Sequence, residues 1–189
     1  MEPQLHVEKP TIKLDLGGGQ NVREGFDCVD IMAGAKHQVN LVEFPWPFET
    51  DSVTELHSSH FIEHIPMKET TTGKDWLFAF FDECYRILVP GGVLSLVWPC
   101  NRSDRAFQDP THRRFIPNAT MFYMNKAWRD MNKLDHYNVQ CDFELVSIVP
   151  IIPAELTLLH PEAQARRVIE SWNTVMDWQA VLKKPEAKK

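Results

Sequence analysis

The sequence has few cysteines, no long apolar run and no internal repeat, and each absence argues against a class of protein. Its 189 residues contain four cysteines, none of them in a CxxC pair: Cys28, Cys84, Cys100 and Cys141. Zinc ribbons need such pairs and disulfide scaffolds need a secreted chain, so both classes are disfavoured. Four reduced thiols, mostly buried, are expected instead.

No apolar run approaches the roughly 18 residues that a membrane-spanning helix needs. The opening residues MEPQLHVEKP lack the apolar core of a signal peptide, and the closing KKPEAKK is typical of a frayed polar tail. The composition, with 43% hydrophobic and 24% charged residues, is that of an ordinary globular protein. These features predict a soluble, cytoplasmic protein of one domain, or of one domain with a short appendage, without membrane contact.

The net charge of −6 gives no general attraction to nucleic acid or to anionic membranes. The charge is unevenly distributed, however. Residues 101–133 hold seven Lys/Arg and three Asp/Glu side chains, a local charge of +4, which leaves −10 on the remainder. Nucleic-acid binding is therefore not indicated by the net charge, although this basic segment would allow it locally.

Hydrophobic periodicity predicts alternating strands and helices. Strands are predicted at 11–16, 26–31, 37–44, 53–58 and 93–98. Residues 75–88 repeat apolar side chains at three- and four-residue steps, which predicts a helix that ends before Pro90-Gly91-Gly92. Later elements are a basic loop at 100–116, helices at 117–134 and 161–182, and a strand at 143–152. Such alternation is typical of a parallel sheet with helices packed on it.

The first two predicted strands end in residues that suit a nucleoside. Gly17, Gly18 and Gly19 leave backbone N–H groups open to a ligand. Asp30 ends the second strand, where a carboxylate can accept hydrogen bonds from both ribose hydroxyls. Only six residues separate Gly19 from Phe26, too few for a crossover helix. The helix N-terminus that normally faces a pyrophosphate would be missing, which favours an adenosine ligand without phosphates.

Residues 11–99 resemble the class I S-adenosylmethionine-dependent methyltransferases in four motifs: LDLGGG, VDI, FPWPFETDSVTELHSSHFIEHI and ECYRILVPGG. The resemblance is greatest to the small branch whose first crossover helix is shortened or absent. The segment DPTHRRF (109–115) resembles the family more weakly. The resemblance implies an α/β fold with a Rossmann-like, mostly parallel sheet of seven strands and helices on both faces. It also implies S-adenosylmethionine as the cofactor and methyl transfer to an acceptor as the reaction.

The resemblance further implies which residues hold the cofactor. Gly17 and Gly19 would border its methionine part, and Asp30 would hold the ribose hydroxyls. Asn40 and Leu41 would lie near the adenine, although the family usually has an acidic residue where this chain has Asn40. The full implied set is Asp15, Gly17, Gly18, Gly19, Asp30, Asn40, Leu41, Ser59 and His60, of which the last two would face the sulfonium.

The basic segment is predicted to overhang the carboxyl end of the sheet, where an acceptor would meet the methyl group. Its arginines, interleaved with aromatic residues, are Arg102, Arg105, Arg113 and Arg114. Guanidinium groups suit phosphate or carboxylate, so the acceptor would be a small or anionic molecule such as a nucleotide, a phosphosugar or a nucleic-acid end. The alternative is a solvated loop whose arginines pair with neighbouring acids.

His112 is the candidate general base in this segment, because an imidazole titrates near neutral pH, and Asp109 would orient it. Many methyl transfers need only the alignment of two reactants. A catalytically silent relative, which acts as a binding or partner subunit, is therefore a second hypothesis.

Residues 60–64, HFIEH, also fit the HxxEH pattern of inverted zinc peptidases, in which two imidazoles share one helix face. A structural metal cluster of His57, His60 and His64 is a further alternative. Neither has an independently supported further ligand, and an SHxxEH run is ordinary in the methyltransferase motif. No bound metal is therefore expected.

The chain is predicted to comprise a methyltransferase-like domain at 1–159 and, at 160–189, an amphipathic helix with a polar tail. One side of this helix is lined by apolar residues, among them Val168, Ile169, Trp172, Val175 and Met176. This side is expected to pack on the core of the domain, and a partner protein is the alternative.

Overall fold

Seven strands form one sheet in the order β3-β2-β1-β4-β5-β7-β6 in the computed structural model, which describes residues 11–186. The strands are β1 (Lys13–Leu16), β2 (Asp27–Asp30), β3 (His37–Gln38), β4 (Val53–Ser59), β5 (Leu88–Pro99), β6 (Glu144–Ile151) and β7 (Asp177–Lys183). The first five strands pair in parallel, whereas β7 lies antiparallel between β5 and β6. The predicted Rossmann-like, mostly parallel sheet is confirmed.

Four α-helices occur within residues 11–186: α1 (Trp76–Ile87), α2 (Arg105–Gln108), α3 (Lys126–Met131) and α4 (Pro161–Glu170). The predicted helix α1 begins after Asp75, whose carboxylate accepts a hydrogen bond from the Leu77 N–H at 2.7 Å. Its apolar stripe is buried completely at Phe80, Phe81 and Ile87. None of the helices in this described range is long and apolar enough to cross a membrane.

The connection from β1 to β2 is short. Residues 17–26, all of which the structure describes, contain turns and no helix. The Gly17 N–H donates to the Val29 carbonyl at 2.8 Å, and the Asn21 N–H donates to the Gly18 carbonyl at 3.0 Å. The chain therefore returns to the start of β2 through turns, and β1 still pairs with β2 in parallel, as the short spacing predicts.

One face of the central strands is buried, and the other is only partly covered. Leu16 of β1, Leu56 of β4, and Leu96 and Trp98 of β5 are at most 1% exposed. The alternate residues of β5, at 93, 95 and 97, are half-buried. The second face of β5 is therefore covered less completely than its continuous apolar sequence predicts.

Two strands differ in length from their predictions. β3 ends at Gln38 instead of residue 44, because a turn follows in which the Glu43 N–H donates to the Asn40 carbonyl at 3.0 Å. β5 begins at Leu88, directly after α1, and a register shift after Val53 places residues 89–92 opposite Thr54 alone. Both differences reflect hydrogen bonds that periodicity does not encode.

The prediction of one helix at 117–134 is wrong. Asn118–Met124 forms a 3₁₀ helix, and α3 begins only after Asn125. The Asn125 side chain accepts a hydrogen bond from the Trp128 N–H at 2.9 Å and donates one to the Phe143 carbonyl at 3.0 Å. Since these bonds need the extended backbone of a cap residue, Asn125 interrupts the helix.

We expect Asn125→Ala to lower the free energy of unfolding by about 1 kcal/mol, the usual effect of losing an N-cap. Urea denaturation followed by circular dichroism measures the change. Asn132→Ala is the matched control, because the Asn132 amide donates to a carbonyl at the exposed end of α3 and should matter less. Equal losses in the two variants would contradict the capping role.

The final helix predicted at 161–182 is correct only in its first half. α4 ends at Glu170, and Asp177–Lys183 forms β7 inside the sheet. No residue of α4 is buried, so the expected packing of its apolar side on the core is wrong. Ala180 and Leu182 of β7 are completely buried instead. The segment after residue 159 therefore supplies both a surface helix and an interior strand.

The predicted polar tail also begins later than expected. Lys183 belongs to β7, and the Lys184 ammonium donates to Asp51 at 2.6 Å and to the carbonyls of Tyr85 and Leu88 at 2.8 Å each. Residues 187–189 of that tail, and the opening residues 1–10, lie outside the described residues.

Candidate functional site

The carboxyl ends of the parallel strands meet at one edge of the sheet, and several predicted site residues lie there. Gly17 follows β1 directly, Asp30 ends β2 and Ser59 ends β4. Because β7 is antiparallel to β5, its first residue, Asp177, lies beside Pro99 at the same edge. Open α/β sheets bind ligands at this edge.

The glycine turn and Asp30 contact each other directly. Gly17 and Gly19 have φ values of 74° and 53°, which glycine adopts most readily. The Gly19 N–H donates to Asp30 Oδ2 at 3.1 Å, and the Met32 N–H donates to Asp30 Oδ1 at 2.9 Å. The bare backbone after β1 and the carboxylate that ends β2 therefore converge at one point.

Asp15 lies beneath this turn and is 2% exposed. Its Oδ2 accepts a hydrogen bond from the Arg23 N–H at 2.7 Å, whereas its buried Oδ1 has no partner among the described residues. A Cβ atom on Gly18 would lie 3.0 Å from Asp15 Oδ2. Since an unpartnered buried oxygen is unfavourable, Oδ1 is an available acceptor for a ligand ammonium or hydroxyl.

A cavity of about 260 Å³ opens beside the turn. Its wall includes Gly17, Asp30, Asn40 and Leu41, which the resemblance assigns to the cofactor. The rest of the wall is mostly apolar and comprises Ile31, Val39, Val42, Phe61, His64, Ile65 and Pro66. An apolar cavity with a carboxylate in its wall suits a flat heterocycle joined to a ribose.

The seven apolar or aromatic wall residues named last are not in the set that the resemblance implies, and two of them stand out. The Phe61 side chain packs on Gly17, where a Cβ atom would lie 2.5 Å from Phe61 Cδ2. Ile31 is 64% exposed although it is apolar and follows Asp30 directly. The sequence could have indicated Ile31 as a wall residue, because it follows the acid that ends β2. Nothing in the sequence indicates that Phe61 packs on Gly17.

The Asn40 side chain is engaged in a turn. Its Nδ2 donates to Glu43 Oε1 at 2.8 Å, and its Oδ1 accepts from the Val42 N–H at 3.3 Å. This turn places Leu41, which is 3% exposed, in the cavity wall. Asn40 therefore shapes the cavity through the backbone that follows it.

Ser59 ends β4 and His60 follows it, and neither is among the residues that line this cavity. His60 has a φ of 54°, a left-handed conformation that is uncommon outside glycine. Its Nδ1 lies 3.4 Å from Glu63 Oε1 and its Nε2 lies 3.9 Å from Asp177 Oδ1. Interaction with the Glu63 carboxylate raises the pKa of His60 despite the opposing effect of burial.

The predicted acceptor-binding arginines fall into two groups. Arg102 and Arg105 contact the C-terminal segment: Arg102 Nη1 donates to the Ile169 carbonyl at 2.7 Å, and Arg105 Nε donates to Asp177 Oδ1 at 3.1 Å. Asp177 therefore lies between Arg105 and His60, and it connects the basic segment to the end of β4.

Arg113 and Arg114 contact a different neighbourhood. Arg113 Nη1 donates to the Pro110 carbonyl at 3.1 Å. Arg114 donates to the carbonyls of residues 65–66 at 2.8 and 2.7 Å and to Asp75 Oδ2 at 3.1 Å. These bonds give the Arg114 guanidinium a role in holding the basic segment in place.

His112 and Asp109 do not form the predicted pair. Asp109 Oδ1 accepts from the Thr111 N–H and hydroxyl, both at 2.7 Å, and these bonds lower the pKa of Asp109. His112 Nδ1 lies 2.8 Å from the Ala106 carbonyl, and His112 Nε2 lies 3.9 Å from Glu63 Oε1. The Ala106 carbonyl, and not Asp109, therefore orients the His112 ring.

The HxxEH pattern does not form the helix of a zinc peptidase. A 3₁₀ helix covers only Ile62–His64, and His60 lies outside it in the left-handed conformation. His60 and His64 therefore lack the common α-helical face that this pattern requires, which argues against the peptidase hypothesis.

Comparisons with known proteins give a match in structure only. No protein-family model matches the chain, and no curated protein matches its sequence. An S-adenosylmethionine-dependent methyltransferase from Archaeoglobus fulgidus matches with a TM-score of 0.62 and 18% identity, over 93% of this chain and 87% of that chain.

Two further solved structures match with lower scores. A methyltransferase solved in complex with the Haloferax volcanii methyltransferase activator Trm112 has a TM-score of 0.53 and 14% identity, over 97% of this chain and 86% of that one. An S-adenosylmethionine-dependent methyltransferase from Mesorhizobium loti has a TM-score of 0.51 and 12% identity, over 91% and 90% of the two chains. At these identities the similarity is one of fold. The chain therefore has the fold of the class I S-adenosylmethionine-dependent methyltransferases.

Proposed function

We propose that the chain is an S-adenosylmethionine-dependent methyltransferase. The observation that carries this proposal is the contact between the glycine turn and Asp30 beside an apolar cavity at the carboxyl edge of the sheet. The residues present fit the nucleoside part of the cofactor. Asp30 can accept hydrogen bonds from the ribose hydroxyls, and Leu41 and Ile31 offer apolar contact to the adenine.

The cofactor would be held in two parts. The cavity volume of about 260 Å³ is below the roughly 300–1,000 Å³ of sites that enclose a whole drug-sized ligand, so it suits the adenosine part. The methionine part would then lie along the glycine turn, towards the unpartnered Oδ1 of Asp15. A Cβ atom on Gly19 would meet nothing within 4 Å, so there is open space beside the turn.

When bound, S-adenosylmethionine supplies a methyl group that its sulfonium has already activated, so the main task of the protein is alignment. Ser59, which ends β4, and His60, which follows it, would face the sulfonium, because β4 pairs with β1 and the glycine turn follows β1. Phe61 covers Gly17 and would exclude water from that side. Nε2 of His112 is the ring atom available to take a proton from an acceptor.

We further propose an anionic acceptor that carries a flat apolar group. Phe107 stacks on Phe115 with ring centroids 4.3 Å apart and on Trp172 at 6.1 Å. These three side chains are 44–51% exposed, in contrast to the buried aromatic residues of the core. Arg102 and Arg105 belong to the same segment as Phe107. Beyond the bonds of Arg102 Nη1 to the Ile169 carbonyl and of Arg105 Nε to Asp177, their other guanidinium N–H groups can bind an anion beside the exposed rings.

We expect S-adenosylhomocysteine to raise the melting temperature of the chain. At a concentration 100 times its Kd, a ligand stabilises the folded state by about 2.7 kcal/mol, which corresponds to roughly 5–11 °C for a domain of this size. Differential scanning fluorimetry measures the shift. NAD is the control and should give none, because no helix N-terminus follows β1 in residues 17–26. The absence of a shift with S-adenosylhomocysteine would overturn the proposal.

Methyl transfer itself is tested with a cofactor that carries a labelled methyl group and with acceptor mixtures separated by charge. Label is expected in an anionic small-molecule fraction. Cofactor binding without any labelled product would favour the silent-subunit hypothesis instead.

Under this second hypothesis a partner protein would bind the C-terminal segment. No residue of α4 is buried, and Leu158, Ile169 and Trp172 are 86%, 70% and 51% exposed. Large exposed apolar side chains within this one segment, residues 158–172, offer a partner an apolar contact surface. The methyltransferase solved with Trm112 shows that one protein of this fold is found with a protein partner.

A further inference from the structure

Cofactor binding does not explain one cluster of polar side chains, formed by Glu63, His64 and His112. One carboxylate oxygen and one ring nitrogen from each histidine lie within 4.8 Å of one another. We propose that these three side chains bind a divalent transition metal, with Zn²⁺ as the natural probe. The proposal does not depend on cofactor binding, and it departs from the expectation that the chain binds no metal.

Glu63 is the strongest reason for a cation at this position. It is 1% exposed, and neither carboxylate oxygen has a hydrogen-bond partner anywhere in the described part of the chain. The nearest charged or titratable groups are His60 Nδ1 at 3.4 Å and His112 Nε2 at 3.9 Å. A buried carboxylate without hydrogen bonds is strongly unfavourable, and coordination of a metal ion is one of the ways in which proteins compensate it.

The His112 ring is prepared to act as a ligand. Its side chain is 8% exposed, and its Nδ1 lies 2.8 Å from the Ala106 carbonyl. Because a carbonyl oxygen can only accept, Nδ1 carries a proton, and in the neutral ring Nε2 keeps its lone pair. Metal-binding histidines are commonly oriented by a hydrogen bond of this kind. Nε2 is also the atom that lies towards Glu63.

The His64 ring is oriented in a similar way through Thr111. The Thr111 hydroxyl oxygen lies 2.7 Å from Asp109 Oδ1 and 3.0 Å from His64 Nδ1. Since the carboxylate can only accept, the hydroxyl donates its proton to Asp109 and accepts one from His64 Nδ1. Nε2 of His64 is then free for a metal. Asp109 and Thr111 therefore act as the outer partners that position a metal ligand.

Backbone hydrogen bonds keep the three ligands together. The N–H groups of Arg113 and Arg114 both donate to the Glu63 carbonyl, at 2.8 and 3.0 Å. The rings of His64 and His112 lie with centroids 4.7 Å apart. Zinc ligands lie about 2.0–2.2 Å from the ion, so tetrahedral ligand atoms are about 3.4 Å apart. Small side-chain rotations would close the present separations of up to 4.8 Å.

The ligand types indicate the class of metal. Two imidazoles and a carboxylate suit Zn²⁺ and neighbouring transition metals, whereas Mg²⁺ and Ca²⁺ prefer oxygen ligands. Three protein ligands leave a coordination position open, as in catalytic zinc sites. His64 also lines the cavity that contains Gly17 and Asp30 in its wall. If the proposed function holds, an acceptor oxygen or thiolate could occupy the open position, and the metal would replace His112 as the group that activates it.

The test uses the untagged full-length chain after treatment with a chelator. Zn²⁺ is titrated in competition with a chromophoric chelator, and saturable binding of a single ion per chain is expected. Co²⁺ should give the visible absorption of a site with nitrogen and oxygen ligands, without a thiolate charge-transfer band, because the cluster contains no cysteine.

Matched variants identify the ligands. His64→Ala and His112→Ala should each weaken Zn²⁺ binding by at least about 100-fold, and Thr111→Val, which removes only the outer partner of His64, by about 10- to 100-fold. His160→Ala, at the exposed start of α4, is the control and should leave the affinity unchanged. No saturable binding, an equal affinity in both ligand variants and the control, or a thiolate band would overturn the proposal.

Glu63→Gln separates a metal ligand from a structural group. The amide keeps the shape of the side chain but removes the negative charge, so Zn²⁺ binding should weaken relative to the control variant His160→Ala. A lower metal-free melting temperature with unchanged zinc affinity would assign Glu63 to a structural pair with His60 and contradict the proposal. S-adenosylhomocysteine binding by His112→Ala should persist, so a failure of the metal site is distinguishable from a failure of the cofactor site.

Discussion

Asp30→Ala is expected to weaken S-adenosylhomocysteine binding by about 1–3 kcal/mol, or roughly 5- to 150-fold, because a charge-assisted hydrogen-bond partner of the ribose is lost. The effect has two physical sources. The carboxylate would bind the ribose directly, and it also holds the glycine turn through the Gly19 N–H and the following turn through the Met32 N–H. Isothermal titration calorimetry measures the affinity.

Asp27→Ala is the matched control for this prediction, since Asp27 is the same residue type at the other end of β2. Its carboxylate bonds to the Lys36 ammonium at 2.7 Å, which lowers the pKa of Asp27, and it is not part of the cavity wall. The control should retain the affinity of the unchanged chain. An equal affinity in Asp30→Ala would mean that the ribose site is placed wrongly.

Gly17→Ala is expected to lower the free energy of unfolding by about 2–5 kcal/mol, because two unfavourable effects add. A left-handed backbone costs a residue with a side chain about 1–2 kcal/mol, and overpacking adds about 1–3 kcal/mol. The new Cβ atom would lie 2.5, 2.7 and 2.9 Å from Cδ2, Cγ and Cβ of Phe61. Rotation of the Phe61 ring cannot remove the last contact. Urea denaturation measures the loss.

Gly19→Ala distinguishes strain from crowding. Gly19 also has a positive φ, of 53°, but a Cβ atom there would meet nothing within 4 Å. The free energy of unfolding of Gly19→Ala should therefore fall by only about 1–2 kcal/mol. The new methyl group would project into the space proposed for the methionine part of the cofactor. The double variant Gly17→Ala/Phe61→Ala should recover part of the crowding effect. Equal stability of the two glycine variants would show that Phe61 does not limit the Gly17 position.

Elements whose pattern is local were predicted well from the sequence. The apolar residues that identify an element lie within the element itself in β1, β2, β4 and α1. Asp75, directly before α1, caps that helix. The absence of a helix between β1 and β2 followed from chain length alone, because six residues cannot form a crossover helix.

Elements that depend on distant partners were predicted less well. Residues 177–183 have apolar side chains that also fit a helical period, but they form β7 because the chain inserts them between β5 and β6. Asn125 interrupts a helical pattern because the Phe143 carbonyl accepts a hydrogen bond from its side chain. Local propensity is weak in such cases, and tertiary hydrogen bonds decide the structure.

The metal-site proposal depends on the same distinction. The HxxEH spacing suggested that His64 and His60, four residues apart, would bind a metal together. In the structure His64 lies close to His112 instead, which is 48 positions further along the chain. The sequence likewise favoured Asp109 as the partner of His112, but the Ala106 carbonyl occupies that position. The hydrogen bonds from the Arg113 and Arg114 N–H groups to the Glu63 carbonyl hold these separate segments side by side.

The sequence by itself determined several elements of the first half of the chain. These are the strands that end in glycine and aspartate, the connection that is too short for a helix, and one long amphipathic helix. Those features follow from steric freedom, chain length and hydrophobic period, which act between near neighbours. Only the tertiary structure decided the strand β7, the engagement of the arginines and the meeting of Glu63, His64 and His112. These depend on contacts between distant segments, whose free energies become favourable only when the whole sheet has formed.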